Sequence, residues 1–110
     1  MGKFVKGDVL IVPFPFSDLS DSKRRPVLVI ATPSGDDIIL CQITSRHRNN
    51  NYVIELSDND FEDGELKVES YIRPDRTFTA EKSLIQYKAG KVKKQKQKEV
   101  EEMLLKIFSQ

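Results

Sequence analysis

The sequence predicts a mainly β protein, a small and strongly curved antiparallel sheet or barrel covered by one C-terminal α-helix. Three observations point there. Short runs rich in β-branched residues recur along the chain, each bounded by turn-forming residues. The tail carries a single helical stripe, Val100, Met103, Leu104, Ile107 and Phe108, at i, i+3, i+4, i+7 and i+8. The length, 110 residues, suits one modest core, so a single domain over residues 1–110 is expected.

After a short tail, Gly7-Asp8 opens the apolar run Val9-Leu10-Ile11-Val12, closed by Pro13-Phe14-Pro15-Phe16. Proline cannot donate to a ladder, so this end belongs at a sheet edge or a bend. Residues 17–25 are polar and charged, with Asp18, Ser20 and Asp21 as turn formers, and are expected to form a surface loop. Pro26 starts the next strand, Val27-Leu28-Val29-Ile30. Ser34-Gly35-Asp36 turns the chain into a third strand, Asp37 to Thr44, with Ile39, Cys41 and Ile43 on one face and Ile38 and Leu40 on the other. Apolar side chains on both faces mark a central strand.

Residues 46–51 form a basic, asparagine-rich loop before a fourth strand, Tyr52-Val53-Ile54-Glu55-Leu56. Residues 58–63 read as a helical turn stopped by Gly64 in the left-handed conformation. Residues 66–72 form a fifth strand broken by Pro74, and residues 81–85 a second short helical turn. Lys91, Lys93, Lys94, Lys96 and Lys98 crowd the start of the last helix, where the macrodipole favours negative side chains. Helix stability does not explain them. A solvated face is the simpler reading, attraction of RNA or an acidic partner the other.

Composition closes off several chemistries. Cys41 is the only cysteine, so neither an internal disulfide nor a cysteine-based metal site can form within the chain. His47 is the only histidine, which rules out a zinc site of the usual nitrogen and sulfur ligands. No metal and no cofactor is therefore expected, and catalysis would fall to carboxylates, hydroxyls, arginine and lysine. A net charge of +1 gives no global argument for nucleic acid. No apolar run approaches a membrane span and no basic-then-apolar leader is present, so a cytoplasmic protein without membrane contact is expected.

The segment Gly7-Asp8-Val9-Leu10-Ile11-Val12-Pro13-Phe14-Pro15-Phe16-Ser17-Asp18, followed by Lys23-Arg24-Arg25-Pro26-Val27-Leu28-Val29, resembles the opening of the MazF/PemK growth-inhibitor toxins. The resemblance continues through Leu40-Cys41-Gln42-Ile43-Thr44-Ser45, Ser70-Tyr71-Ile72-Arg73-Pro74-Asp75 and Phe78-Thr79-Ala80-Glu81-Lys82-Ser83-Leu84-Ile85. Together these strings cover nearly the whole chain in the family's order. The resemblance implies an SH3-like small antiparallel barrel with a C-terminal helix, working as a homodimer. It further implies metal-independent cleavage of single-stranded mRNA at short sequences, an antitoxin protein as inhibitor, and operator DNA reached through that antitoxin.

Metal-free RNA cleavage needs a proton acceptor for the attacking 2′-hydroxyl and fixed donors for the phosphorane oxygens. Arg25, before Pro26, matches the family's phosphate-stabilising arginine, and guanidinium offers forked, permanently charged donors. Thr44 occupies the position of the family's catalytic hydroxyl, with Ser45 beside it as a substitute. Arg73-Pro74-Asp75 matches a basic-x-acidic element of one branch of the family, giving Arg73 as a second phosphate clamp and Asp75 as a candidate general base. The competing reading of that element is a turn preset by Pro74 and capped by Asp75. Some members carry a histidine in the first loop; here that loop has none, which leaves the base open.

Two basic clusters suit single-stranded RNA: Lys23-Arg24-Arg25, and Arg46, His47 and Arg48 beside Tyr52, whose ring offers a stacking face. The plain alternative is two solvated loops. A function of another class is a catalytically inactive SH3-like binding module acting with an antitoxin in DNA-bound autoregulation, since fold alone never proves activity.

Overall fold

The computed structural model describes residues 3–14, 23–33, 35–46 and 49–110. Among these, seven strands and one α-helix form: β1 (Asp8–Phe14), β2 (Lys23–Ala31), β3 (Asp37–Thr44), β4 (Ile54–Leu56), β5 (Phe61–Gly64), β6 (Ser70–Glu81), β7 (Tyr87–Val92) and α1 (Lys94–Phe108). All pairings are antiparallel, in the order β4-β6-β3-β2-β1-β7-β5, and the sheet curls into a half-barrel. The mainly β class with a C-terminal helix, expected from the sequence, is what the chain adopts.

Alternation along the strands supplies two cores. Val9, Leu28, Cys41, Ile43, Ile54, Leu56, Ile72 and Val92 face α1, which seals them with Val100, Met103 and Leu104. On the opposite face, Leu10, Val12, Val27, Val29, Ile38, Leu40 and Ala80 pack beneath Phe78, Leu84 and Ile85. β3 lies between β2 and β6 and buries apolar residues on both faces, as its sequence requires. Burying one aliphatic side chain of this size contributes about 1.5–3 kcal/mol, so the two clusters together hold the curl.

Several boundaries differ from expectation. β2 begins at Lys23, three residues before Pro26, because Val12, Pro13 and Phe14 pair with Arg25, Arg24 and Lys23. Lys23, Arg24 and Arg25 are therefore strand residues rather than loop. The helical turn after Ser57 is only a 3-10 turn, Asp58–Asp60, and the chain then enters β5 to pair with β7. Gly64 has φ 75°, left-handed as expected, but at the end of an edge strand instead of a helix cap. β7 was not legible because Tyr87-Lys88-Ala89-Gly90-Lys91-Val92 lacks an apolar alternation. Gly90 is needed there: a Cβ would sit 2.5 Å from the Asp63 carbonyl oxygen.

β6 does not stop at Pro74 but runs on to Glu81 through a bulge. At the C-terminus, Phe108 is 70% exposed and is no part of the packed stripe. Lys91 belongs to β7, and Lys93 is the residue before α1. Among the described residues no helix is long and apolar enough to cross a membrane.

Candidate functional site

β2 and β3 pair from Ala31–Ile39 down to Val27–Gln42 and then part. Pro26 follows with no N–H to offer a ladder, while β2 stays on β1 and β3 stays on β6 as far as Thr44–Tyr71. The separation opens a cleft of about 310 Å³ lined by Arg25, Pro26, Val27, Gln42, Ile43, Thr44, Ser45 and Arg46. Arg25, Thr44, Ser45 and Arg46, all chosen from the sequence, meet here.

The pleat explains why the cleft is polar. Val27, Val29 and Leu40 lie on the face of the second core. Further along each strand, that same face presents Arg25 from β2, two residues from Val27, and Gln42 and Thr44 from β3, two and four residues from Leu40. Gln42 pairs with Arg73 and Thr44 with Tyr71, so β6 adds Arg73 to the same face. A dry apolar surface thus grades into a cationic one within two residues. Gln42 was missed by the sequence reading. Its signal is the break it makes in the Ile38–Leu40 face.

The Thr44 hydroxyl oxygen accepts a hydrogen bond from the Arg46 backbone N–H at 3.1 Å. This fixes the turn after β3 and leaves the hydroxyl proton free to donate. Arg25 and Arg46 are exposed, and neither has an ion-pair partner among the described residues.

Arg73 is held differently. Cys41 pairs with Thr77 and Gln42 with Arg73, so Pro74, Asp75 and Arg76 bulge out of β6. Bulges re-aim side chains, and this one brings Asp75 back onto its neighbour. Arg73 donates to the Asp75 carboxylate from Nε at 3.2 Å and Nη2 at 2.9 Å. The Arg73 hydrogen bond holds the Asp75 carboxyl below the usual aspartate range, against an opposing push from partial burial; the Asn50 amide also lowers it. Burial pushes the Cys41 thiol up to about 12, which leaves it neutral and unreactive beneath the site.

Of the remaining candidates, Lys23 and Arg24 are exposed near the start of β2 and do not line the cleft. Tyr52 is half-buried; its backbone N–H donates to Asn50 Oδ1 at 2.7 Å, and its hydroxyl accepts from Gln110 Nε2 at 2.8 Å. His47 and Arg48 lie outside the described residues.

A small β half-barrel whose central strands part over a cationic, hydroxyl-bearing cleft defines the class of protein. The chain belongs to the PemK-like, MazF-like toxins of type II toxin-antitoxin systems, whose family model matches residues 5–108. Solved structures agree on the fold. An endoribonuclease in complex with its cognate antitoxin from a mycobacterial species superposes with TM-score 0.78 at 14% identity, covering 97% of this chain and 96% of that one. MazF from Deinococcus radiodurans gives TM-score 0.77 at 17% identity, with 100% of both chains covered. The Mycobacterium tuberculosis toxin MazF-mt6 gives 0.74 at 18% identity, covering 93% of this chain and 96% of that one. Compared directly with curated protein sequences, the chain matches none.

Proposed function

We propose that the chain is the toxin of a type II toxin–antitoxin pair and acts as a metal-independent endoribonuclease on single-stranded mRNA in the cytoplasm, halting translation and growth. The observation that carries this is the cleft, where Arg25, Thr44 and Arg46 converge and neither guanidinium group is ion-paired among the described residues. Unpaired guanidinium beside a fixed hydroxyl suits a phosphodiester. As the 2′-hydroxyl attacks phosphorus, Arg25 meets the charge that grows on the phosphorane oxygens. Thr44, with Ser45 beside it, hydrogen-bonds the phosphate, and Arg73 clamps a neighbouring one. The products are a 2′,3′-cyclic phosphate and a 5′-hydroxyl. Lys23, Arg24 and Tyr52, with His47 and Arg48, extend the track along which RNA binds.

Two duties are open to Asp75, accepting the proton or orienting Arg73. The two-point grip favours the second, because a carboxylate held below its usual range is a weaker base.

A binding-only module is the second reading, and one observation favours it: among the described residues, the cleft lining includes neither a carboxylate nor an imidazole. Incubating single-stranded RNA with protein and EDTA separates the two. Cleavage to cyclic-phosphate ends supports the nuclease; retention without cleavage supports the module, and cleavage abolished by chelator removes the metal-free mechanism.

The reading extends to a homodimer that joins two clefts into one groove, with the antitoxin's acidic segment competing for it and carrying the pair to operator DNA. Charge reversal at Arg46 should weaken RNA and antitoxin together and flatten the salt dependence of both. Antitoxin affinity unaltered by that change would separate the two surfaces.

A further inference from the structure

We infer that Gln42 is a specificity-determining residue, its side-chain amide reading the edge of one adenine base held in the cleft beside the scissile phosphate. The inference deepens the nuclease reading and rests on it only for the cutting of the chain.

Gln42 sits where an apolar residue would pack better. β3 is a central strand, and Leu40, Cys41 and Ile43 around it are all buried. On the Leu40 face the apolar run ends at Gln42, which stands opposite Val27 on β2 and lines the cleft. Among the described residues nothing hydrogen-bonds its side-chain amide, which is half-buried and open to the cleft. An amide with donor and acceptor both unengaged contributes little to the fold. It discriminates well between ligands, because a base that leaves it unpaired forfeits water's hydrogen bonds without replacing them.

The cleft divides the work around it. Arg25 and Arg46 are charged donors, and Thr44 adds a hydroxyl; these suit phosphate. Phosphate has only acceptors and would leave the Gln42 carbonyl without a partner, whereas a base edge offers both kinds. Pro26 and Val27 supply an apolar wall for the face of a ring. Thr44 is two residues along β3 from Gln42, about 7 Å at the rise of an extended strand. That is the order of the separation between a nucleotide's phosphate and its base. At about 310 Å³ the cleft lies at the small end of ligand pockets and takes one nucleotide rather than a run.

Adenine matches the amide best. Its amino group lies beside a ring-nitrogen acceptor on both the Watson–Crick and the Hoogsteen edge, and glutamine pairs with such an edge through two hydrogen bonds. Guanine carries two acceptors on its Hoogsteen edge, and the pyrimidines offer a donor beside an acceptor on the Watson–Crick edge alone.

The test measures binding of 2′-deoxy pentanucleotides, which lack the attacking hydroxyl, made of uracil with a central adenine, guanine, cytosine or uracil. The wild-type chain should bind the adenine form roughly ten- to a hundredfold tighter than the others. Gln42→Leu should bind all four alike. Gln42→Glu has two acceptors and should move the preference to guanine, whose Watson–Crick edge carries two adjacent donors. Wild-type binding without preference, or with preference for another base, would overturn the inference. So would an adenine preference that survives in either folded variant. The ribose forms of the same oligonucleotides give the second readout, a cut at a bond next to the adenine; a cut elsewhere also counts against the inference. If the deoxy series shows the adenine preference and the ribose series is not cut at all, the nuclease reading fails while the base reading stands.

Discussion

Two regions of the half-barrel concentrate basic side chains, and they use them in opposite ways. Around β5, β7 and α1, lysines are matched to acids and close the structure. Lys96 Nζ donates to the Glu55 carbonyl oxygen on β4 at 3.0 Å and to Glu99 at 2.9 Å, and lies 3.5 Å from Asp60. One ammonium thus joins β4 to the turn before β5, the two strands at opposite ends of the sheet order. Lys6 pairs with Glu101, and Lys88 lies 3.3 Å from buried Asp8. Lys93, Lys94 and Lys98 are exposed, which fits the plain solvated face. Where β2 and β3 part, Arg25 and Arg46 have no ion-pair partner among the described residues and a cleft beside them. The lesson is that count and spacing of cations say little; the partner that is missing, and the space beside it, say more.

The largest expected effect sharpens that contrast at the cleft. Arg25→Ala should lower RNA cleavage by about 2.7–4 kcal/mol of barrier, two to three orders of magnitude, with an unchanged melting curve. A folded variant that cleaves at the wild-type rate would remove Arg25 from the mechanism.

The closing side should answer in stability instead. Gly64 combines φ 75° with close packing on the Ala89 carbonyl oxygen, so Gly64→Ala introduces both strain and overlap. Together these should cost on the order of 1–3 kcal/mol, seen in a denaturant midpoint, with cleavage per folded molecule preserved. A neutral midpoint would show that β5 can leave β7 freely.

Lys96→Ala removes a largely covered cation and its hydrogen bonds, and should destabilise by about 1–2 kcal/mol. Its RNA affinity and salt slope should stay as in the wild type. A reduced salt slope would mean that RNA reaches this side as well, and the contrast between the two regions would fail.

Smaller still is Thr44→Ala, expected to reduce cleavage by about tenfold, the worth of roughly one hydrogen bond, because Ser45 lies beside it. A loss as deep as that of Arg25→Ala would give Thr44 a role beyond binding phosphate.

The smallest expected effect lies in the pH dependence of stability. Asp75 has its native pKa lowered, so the contribution of its pair with Arg73 is fully present above the ordinary aspartate value, roughly pH 4. That contribution is lost as pH falls through the lower native value. Asp75→Asn should therefore narrow the stability difference between neutral and acid solution slightly, since the pair is partly solvated.

How much of this was legible differs by element. β3 could be read in full because both of its faces are apolar, and α1 because its stripe repeats at the helical period. The cleft residues Arg25, Thr44 and Ser45 were chosen from motif resemblance and Arg46 from its basic cluster, and the fold brings them together. The grip of Arg73 on Asp75 was hidden, since it depends on a bulge that appears only when β6 is set against β3.

By itself the sequence determined what depends on neighbours along the chain: the β class, the apolar alternation of its strands and the amphipathic tail. Tertiary structure alone decided what depends on a partner strand. Lys23, Arg24 and Arg25 became strand because the end of β1 had backbone groups to satisfy; β7 took its ladder from β1, and β5 took its ladder from β7. Asp75 became the holder of Arg73 because β6 carries three residues more than β3 can pair. Propensity is a matter of tenths of a kcal/mol per residue, whereas a buried backbone group without a partner costs one or more.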